Sequence, residues 1–199
     1  MSSTATASSP ARCYIDTLAG LLRNTAVTDR AGCALSLDDG IAWMRRAAVE
    51  THARGNKIMF VGNGGSAGIS SHLAIDYSKN GGLRATAFND PAALTCLAND
   101  LGYEQVFAKQ LELHLRPGDL LVAISSSGRS PNILNAVAVA QSGGCSVATF
   151  SGFSADNDLR TMGDPMSALP AVRSAVGEID RNRPLIGRAS CRERVYDDV

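Results

Sequence analysis

Residues 58–72 read IMFVGNGGSAGISSH, and this stretch decides the fold class. The apolar run IMFV lacks strict alternation, which predicts a strand buried on both faces. The glycines of GNGGS let the backbone turn sharply and approach a ligand closely, and the small residues after them can begin a helix. The stretch fits a dinucleotide turn, a phosphosugar cradle, or only a tight strand-to-helix turn.

The same alternation of apolar runs and helical stretches continues along the chain. Strands are predicted at KIMFV, LRATAF, DLLVAIS and CSVATFS, and helices over residues 66–80, 91–115 in two pieces, 131–142 and 157–162. Apolar runs separated by helices indicate parallel strands covered on both faces. We therefore predict an α/β fold with a doubly wound parallel sheet.

Two further helices are predicted before the sheet, over residues 14–28 and 36–53. Ser36 is a candidate N-cap, with Asp39 at the capping-box spacing. The second helix carries a wide apolar stripe, expected in the core or in a subunit interface, formed by Leu37, Ile41, Trp43, Met44 and Ala48. Residues 1–12 are small and polar and are expected to form a disordered leader.

Composition excludes several classes of protein. The formal net charge of zero and the lack of a basic stripe argue against nucleic acid as a ligand. No apolar run is long enough to span a membrane. The five cysteines never form a C-x-x-C pair, which predicts free thiols in a reducing cytoplasm, with Cys96 and Cys145 as small buried apolar residues.

Polar motifs follow the predicted strands, where ligands of such sheets bind. Gly62, Gly64 and Ala67 satisfy the dinucleotide pattern G-x-G-x-x-A, although the acidic residue that should follow, Asp90, lies in an apparent turn. Residues 125–131, SSSGRSP, follow another strand and precede a helix. Hydroxyl and backbone donors at a positive helix end can hold a phosphate, or the serines can merely cap the helix.

His72 and Asp76 lie four apart on the helix that GNGGS begins, and therefore on one face. Such a pair can supply two metal ligands, a general acid and base, or only a surface hydrogen bond. The other histidines, His52 and His114, are not obvious third ligands, since His52 ends one helix and His114 lies on another.

Together, GNGGSAGISSH, CLANDLGYE and ISSSGRSPN resemble the sugar isomerase (SIS) domain family, specifically its phosphoheptose isomerase-like branch. The resemblance covers roughly residues 14–164 and implies a flavodoxin-like SIS domain at 13–164 with an N-terminal helical extension. It also implies a homotetramer with sites between subunits, a sugar phosphate as substrate and no nucleotide cofactor.

The resemblance implies a set of site residues. The GNGGS loop and the ND pair would contact the sugar, and the serine loop would hold the phosphate; the implied residues are Asn63, Gly64, Gly65, Ser66, Asn99, Asp100, Ser125, Ser126, Ser127 and Ser130.

The resemblance further implies zinc, bound by a histidine and a glutamate four apart, the glutamate also moving protons. Here His72 matches, and Asp76 replaces the glutamate with a shorter carboxylate. The family's closing helix adds a glutamine or glutamate and a histidine. Glu178 falls near the first, but Ile186 occupies the place of the histidine, so weak turnover is expected of the chain as written.

The implied reaction converts sedoheptulose 7-phosphate to D-glycero-D-manno-heptose 7-phosphate through an enediol. A non-catalytic SIS module that binds phosphosugars or a partner is the alternative, and a Rossmann oxidoreductase is a third. Residues 165–199 lose all periodicity, and LIGRASCRERV resembles a translated sequencing adapter. That tail is expected to be disordered or non-native.

Overall fold

A computed structural model describes residues 9–154 and 156–164. The described residues form helices α1 (Pro10–Arg23), α2 (Leu37–Ala53), α3 (Gly65–Lys79), α4 (Pro91–Leu101), α5 (Val106–His114) and α6 (Pro131–Ser142), and strands β1 (Val27–Thr28), β2 (Ala34–Leu35), β3 (Ile58–Gly62), β4 (Ala85–Ala87), β5 (Leu120–Ser125) and β6 (Ser146–Ser151). Short 3₁₀ helices span Tyr103–Gln105 and Asp158–Thr161. The predicted tail, with Glu178 and Ile186, lies outside the described residues.

Strands β3 to β6 form one parallel sheet in the order β4-β3-β5-β6, which confirms the predicted α/β class. The chain leaves β3 through α3 to reach β4 on one side, and leaves β5 through α6 to reach β6 on the other. The strand order therefore reverses between β3 and β5. The crevice at the carboxyl ends of two such strands is the usual ligand site of an open α/β sheet.

Both faces of this sheet are covered, because alternate strand residues belong to two separate apolar clusters. Met59, Val61 and Leu121 pack with residues of α5 and α6. On the opposite face, Phe60 and Val122 pack with residues of α2 and α3. Burial on both faces explains why the strands read as continuous apolar runs. None of the described helices is long and apolar enough to cross a membrane.

The first predicted helix is wrong at its end. Helix α1 begins at Pro10, with Ser9 as its N-cap, and ends at Arg23. Val27–Thr28 instead pairs antiparallel with Ala34–Leu35, and strands of two residues are too short to show any periodicity. The predicted helix over residues 157–162 is a 3₁₀ helix.

The predicted buried stripe of α2 is narrower than expected. Ser36 caps the helix as predicted, since its hydroxyl accepts a hydrogen bond from the Asp39 N–H at 3.0 Å. Met44 and Ala48 are buried against the sheet, but Ile41 is 54% exposed and Leu37 is exposed as well. A helix lying along a sheet covers only one stripe, so the flanks of a wider apolar face stay uncovered in the single chain.

The two cysteine predictions differ in outcome. Cys145 is buried as predicted, and burial with the nearby Asp119 charge raises the pKa of its thiol to about 11. Cys96 is exposed on α4, so its predicted burial is wrong. Its neighbours on α4 are apolar, which made the segment look more deeply packed than it is. Both are free thiols.

A buried ion pair joins the beginnings of β3 and β5. The Asp119 side chain is only 1% exposed, and its Oδ2 lies 2.6 Å from Lys57 Nζ. Its carboxylate also accepts hydrogen bonds from Asn56 Nδ2, the Lys57 N–H and the Arg116 N–H. Burial raises the pKa of Asp119, but these hydrogen bonds outweigh it and leave that pKa below the usual 3.8. A buried carboxylate with this many donors fixes the start of both strands.

Asp119→Asn is expected to lower the free energy of unfolding by about 3 kcal/mol at pH 7, because it leaves the Lys57 charge without its partner. The pKa of Asp119 is lower in the folded protein than the unfolded value of 3.8. The Asp119 carboxylate therefore stabilises the fold fully above that unfolded pKa, and this stabilisation is lost as pH falls through the folded pKa. The gap between variant and wild type should therefore narrow below about pH 4.

Urea unfolding at a series of pH values measures this gap. Asp16→Asn, an exposed carboxylate on α1, is the matched control and should change stability by less than about 0.5 kcal/mol. A gap that stays constant from pH 7 to pH 3 would contradict the role assigned to Asp119.

Candidate functional site

The serine loop begins at the buried end of β5. Ser125 is 5% exposed, and its Oγ lies 3.2 Å from Ser130 Oγ. The Gly128 N–H donates to Ser125 Oγ at 3.2 Å and to the Ser125 carbonyl at 3.0 Å. Ser126 and Ser127 are exposed at the rim of the loop. The loop therefore brings together the four predicted serines within one tight turn.

Ser130 occupies the N-cap position of α6, but its side chain accepts no hydrogen bond from that helix. A serine that served only as a cap would accept one from the N2 or N3 N–H. The hydroxyl instead faces Ser125 at the positive end of the helix dipole. This geometry favours anion binding over capping, the two roles that the sequence left open.

A second loop packs on the serine loop. The Leu159 N–H donates to the Gly128 carbonyl at 3.0 Å. Asn157 is buried, and its Nδ2 donates to Ser151 Oγ and to the Ser154 carbonyl. Gly128 has a φ of 63°, and a Cβ added to it would lie 2.0 Å from Asn157 Oδ1. Only glycine fits at position 128 in this arrangement.

The GNGGS loop follows β3 at the neighbouring strand end. Asn63 comes directly after the strand, and Gly64 is the N-cap of α3, with a φ of 54° and no side-chain cap. Gly65 begins the helix. Ser66 is buried against the strand. Its backbone approaches Gly62 so closely that a Cβ on Gly62 would lie 2.7 Å from it. Of the predicted loop residues, Gly64 and Gly65 are exposed, Asn63 is half-buried and Ser66 is buried.

Two side chains outside the predicted site set, those of Asn132 and Tyr103, connect the two loops through Asn63. Asn63 and Asn132 form a reciprocal amide pair, with both Nδ2 to Oδ1 distances at 2.9 Å. The Tyr103 hydroxyl also donates to Asn63 Oδ1, at 3.1 Å. Tyr103 lies three residues after Asp100 and Asn132 two residues after Ser130, so their position within the motifs LGYE and SPN was the available signal.

The ND pair lies at the end of α4. Asn99 Nδ2 donates to Asp100 Oδ1 at 2.9 Å, and both side chains are exposed. The chain passes from them into the 3₁₀ helix that carries Tyr103, which contacts Asn63. The pair is therefore three to four residues from Tyr103, which contacts the GNGGS loop, although no hydrogen bond between described residues joins Asn99 or Asp100 to either loop.

His72 and Asp76 lie on the outer face of α3. Their Nε2 and Oδ2 are 3.3 Å apart, with side chains 76% and 43% exposed. Ser66, Ser70 and Ala74 of the same helix are buried, so helical periodicity directs His72 away from the sheet. Within the described part of one chain, no hydrogen bond or ion pair connects this pair to the serine loop.

The described residues do not by themselves fit a zinc ion. A catalytic zinc site takes three protein ligands and keeps one position open. Within residues 9–154 and 156–164, no group of three His, Cys, Asp or Glu side chains could hold a metal. His52 Nδ1 accepts a hydrogen bond from the Arg84 N–H, and the His114 ring stacks on Phe88. Neither histidine joins the His72 pair.

The acidic residue of the dinucleotide pattern has a structural role. Asp90 Oδ1 accepts a hydrogen bond from the Ala93 N–H at 2.8 Å, as the N-cap of α4. A ribose-binding acid would instead present its carboxylate at the end of a strand. This contact accounts for Asp90 without a nucleotide.

A family model described as the SIS domain matches residues 31–152. The chain is also 37% identical over 152 residues to the phosphoheptose isomerase of Paramagnetospirillum magneticum, covering 73% of this chain and 78% of that relative. The chain therefore belongs to the SIS domain family.

Within the family, the chain falls in the phosphoheptose isomerase-like branch. It is 35% identical over 171 residues to the phosphoheptose isomerase of Akkermansia muciniphila, with 83% of this chain and 89% of that relative covered. The solved structure of a phosphoheptose isomerase from Francisella tularensis superposes with a TM-score of 0.69 at 25% identity, covering 86% of this chain and 89% of that one.

Gly62→Ala is expected to destabilise the protein by about 2 kcal/mol, because the new methyl group would collide with the Ser66 backbone and push α3 from β3. Gly68→Ala is the matched control on the same helix, where an added Cβ meets no atom within 4 Å. It should be neutral or stabilise by up to about 1 kcal/mol. Urea unfolding checks both, and equal effects would contradict the close approach of α3 to β3.

Proposed function

We propose that this protein is an aldose–ketose isomerase that converts sedoheptulose 7-phosphate to D-glycero-D-manno-heptose 7-phosphate. Its similarity to proteins named phosphoheptose isomerase supports the reaction. The observation that carries the proposal is the pair of hydroxyls of Ser125 and Ser130 at the uncapped N-terminus of α6. It lies at the strand-order reversal, where a phosphate group and a sugar chain can be held together.

In this proposal the phosphate is bound by the four serines and the backbone of their loop, while Asn63, Gly64, Gly65, Ser66, Asn99 and Asp100 line the path of the sugar. Holding the phosphate fixes the reacting carbons in place, which lowers the entropic part of the barrier. Donors near the sugar oxygens stabilise the negative charge that develops on them.

Asp76 is the proposed base. It takes a proton from C1, the C1–H electron pair forms the C1=C2 bond of the enediol, and O2 gains a proton. Return of a proton to C2 and loss of the O1 proton then give the aldehyde at C1. The Asp76 carboxylate is held by Asn80 Nδ2 at 3.0 Å and lies beside His72, the proposed polarising group.

Zinc would enter this site through His72 and Asp76, the ligands that the family resemblance implies. The two residues supply only two of the three protein ligands that a catalytic zinc takes, and the described residues contain no third, so a further ligand from elsewhere would be required. When bound, zinc would polarise the sugar oxygens as a Lewis acid. The steps written above use only side chains of this chain.

A homotetramer is part of the proposal, because the His72 face of α3 is uncovered in the single chain. Ile69 and Ile75 flank His72 and are both more than half exposed. Helix α1 buries no residue, although Ile15 and Leu22 are large and apolar. Apolar patches of this kind mark protein interfaces. A second copy on these faces could complete the site around His72.

We assign residues 13–164 to the SIS domain and place the protein in the cytoplasm. Cys33, Cys96 and Cys145 are free thiols in the described part of the chain, as in proteins of a reducing compartment.

The second candidate function is a SIS module that binds a sugar phosphate without catalysis. The shorter carboxylate at Asp76 and the incomplete ligand set around His72 favour it. The two functions share the phosphate-binding loop and differ only in proton transfer. Proton exchange with solvent therefore separates them.

Ser125→Ala and Ser130→Ala are each expected to weaken binding of sedoheptulose 7-phosphate by roughly 10- to 100-fold, since a hydrogen bond to a charged group contributes about 1.5–3 kcal/mol. Isothermal titration calorimetry measures the affinity. Ser142→Ala, at the opposite end of α6, is the control and should leave it unchanged. Undiminished binding by both loop variants would contradict the assigned phosphate cradle.

Asp76→Asn is expected to slow exchange of the C1 proton of sedoheptulose 7-phosphate with D₂O by about 100-fold or more, because the amide cannot accept the proton. NMR follows loss of the C1 proton signal in D₂O, with and without added zinc, over times long enough to detect slow turnover. Glu50→Gln, an exposed helical carboxylate paired with Arg54, is the control for lost charge. A wild-type protein that binds the sugar phosphate but never exchanges this proton would establish the non-catalytic alternative.

A further inference from the structure

We infer that Asn132 is a positioning residue that fixes the Asn63 carboxamide so that its free N–H faces the bound sugar. This inference rests on the proposed function for the identity of the ligand. Its structural part, the orientation of Asn63, depends only on the contacts between the two loops.

Asn132 is placed where it can join both walls of the crevice. It is the second residue of α6, directly after the serine loop, and it is 2% exposed. Asn63 follows β3, which pairs with β5 in the sheet, so the two side chains meet across the strand-order reversal. Their two hydrogen bonds, each 2.9 Å, fix the plane of the Asn63 amide.

The hydrogen bonds also determine which atoms of Asn63 remain available. Its Oδ1 has two lone pairs, and these accept from Asn132 Nδ2 and from the Tyr103 hydroxyl. Its Nδ2 carries two N–H groups, of which one donates to Asn132 Oδ1. The second N–H has no partner among the described residues. Asn63 therefore meets a ligand as a donor and not as an acceptor.

This polarity suits an aldose–ketose isomerisation. Carbonyl and hydroxyl oxygens of a sugar accept hydrogen bonds, and negative charge develops on them as the enediol forms. A donor held in one orientation before the substrate arrives needs no reorganisation during the reaction. If Asn132 were removed, only the Tyr103 hydroxyl among the described residues would hold the Asn63 amide, and its plane would no longer be fixed by two hydrogen bonds on the α6 side.

Asn132→Ala is expected to weaken binding of sedoheptulose 7-phosphate about tenfold, because the Asn63 amide loses its fixed orientation and with it the hydrogen bond that it donates to the sugar. Binding of inorganic phosphate, which uses the serine loop alone, should change less than about twofold. Asn135→Ala is the matched control, because Asn135 also lies on α6 and donates to a backbone carbonyl, that of Glu104. It should change neither affinity.

The two affinities, measured by calorimetry, separate positioning from scaffolding. Equal losses for both ligands would mean that Asn132 supports the serine loop instead, and no loss for either would overturn the inference as well. Tyr103→Phe removes only the hydroxyl that donates to Asn63 Oδ1, and Tyr103 is exposed, so this variant should fold normally. It should weaken sugar phosphate binding about threefold with phosphate binding intact, and it keeps the inference testable if Asn132→Ala does not fold.

A readout without any ligand distinguishes failure of this inference from failure of the proposed function. The side-chain amide signals of Asn63 in ¹⁵N-labelled protein should shift in Asn132→Ala and stay in place in Asn135→Ala. Signals unchanged in both variants would overturn the positioning role. If the signals shift in Asn132→Ala but the wild-type protein does not bind sedoheptulose 7-phosphate, the positioning of Asn63 is supported and the proposed substrate is wrong.

Discussion

The parallel pairing of β3 with β5 is the constraint on which the rest of the molecule depends. The pairing begins beside the buried Lys57–Asp119 ion pair and runs in register to Gly62 and Ile124. Because the register is fixed at the start of the strands, their carboxyl ends finish side by side, and so do the two loops that follow them. The connections leave these ends in opposite directions, so the two loops face each other at the strand-order reversal and are joined there by the Asn63–Asn132 pair. Burial of both faces of the sheet then makes this arrangement rigid.

The candidate site consists of two parts that differ in how completely one chain forms them. The proposed phosphate-binding part lies at the carboxyl ends of the strands, where Ser125 and Ser130 face each other within one loop and Asn63 pairs with Asn132 of the neighbouring element. The proposed acid–base part, His72 and Asp76, lies on an exposed helix face, where the two side chains contact each other and Asn80, the C-cap of that helix, holds Asp76. In the proposed function, phosphate binding and proton transfer are therefore separable, and an interface between copies would connect the two parts.

Much of this could be predicted from the sequence, because strong local signals determine it. Buried parallel strands leave continuous apolar runs, and a cap such as Ser36 is a contact within a few residues. What depends on distant parts of the chain was missed. Ile41 is apolar yet exposed, since only the sheet decides which stripe of α2 is covered. The pairing of Asn63 with Asn132 joins residues far apart in sequence, and neither residue type alone indicates a partner.

The packing of Asn157 over Gly128 has a consequence for how this sequence can change during evolution. Any side chain at position 128 would overlap the Asn157 carboxamide, and the positive φ adds strain of its own. The carboxamide in turn holds the loop after β6 through Ser151 and Ser154. A side chain at position 128 therefore requires a smaller residue at position 157, whereas a change of Asn157 alone loses its hydrogen bonds to the loop after β6. In relatives of this protein, a larger residue at position 128 should therefore occur only together with a smaller one at position 157, although the two positions are far apart in sequence.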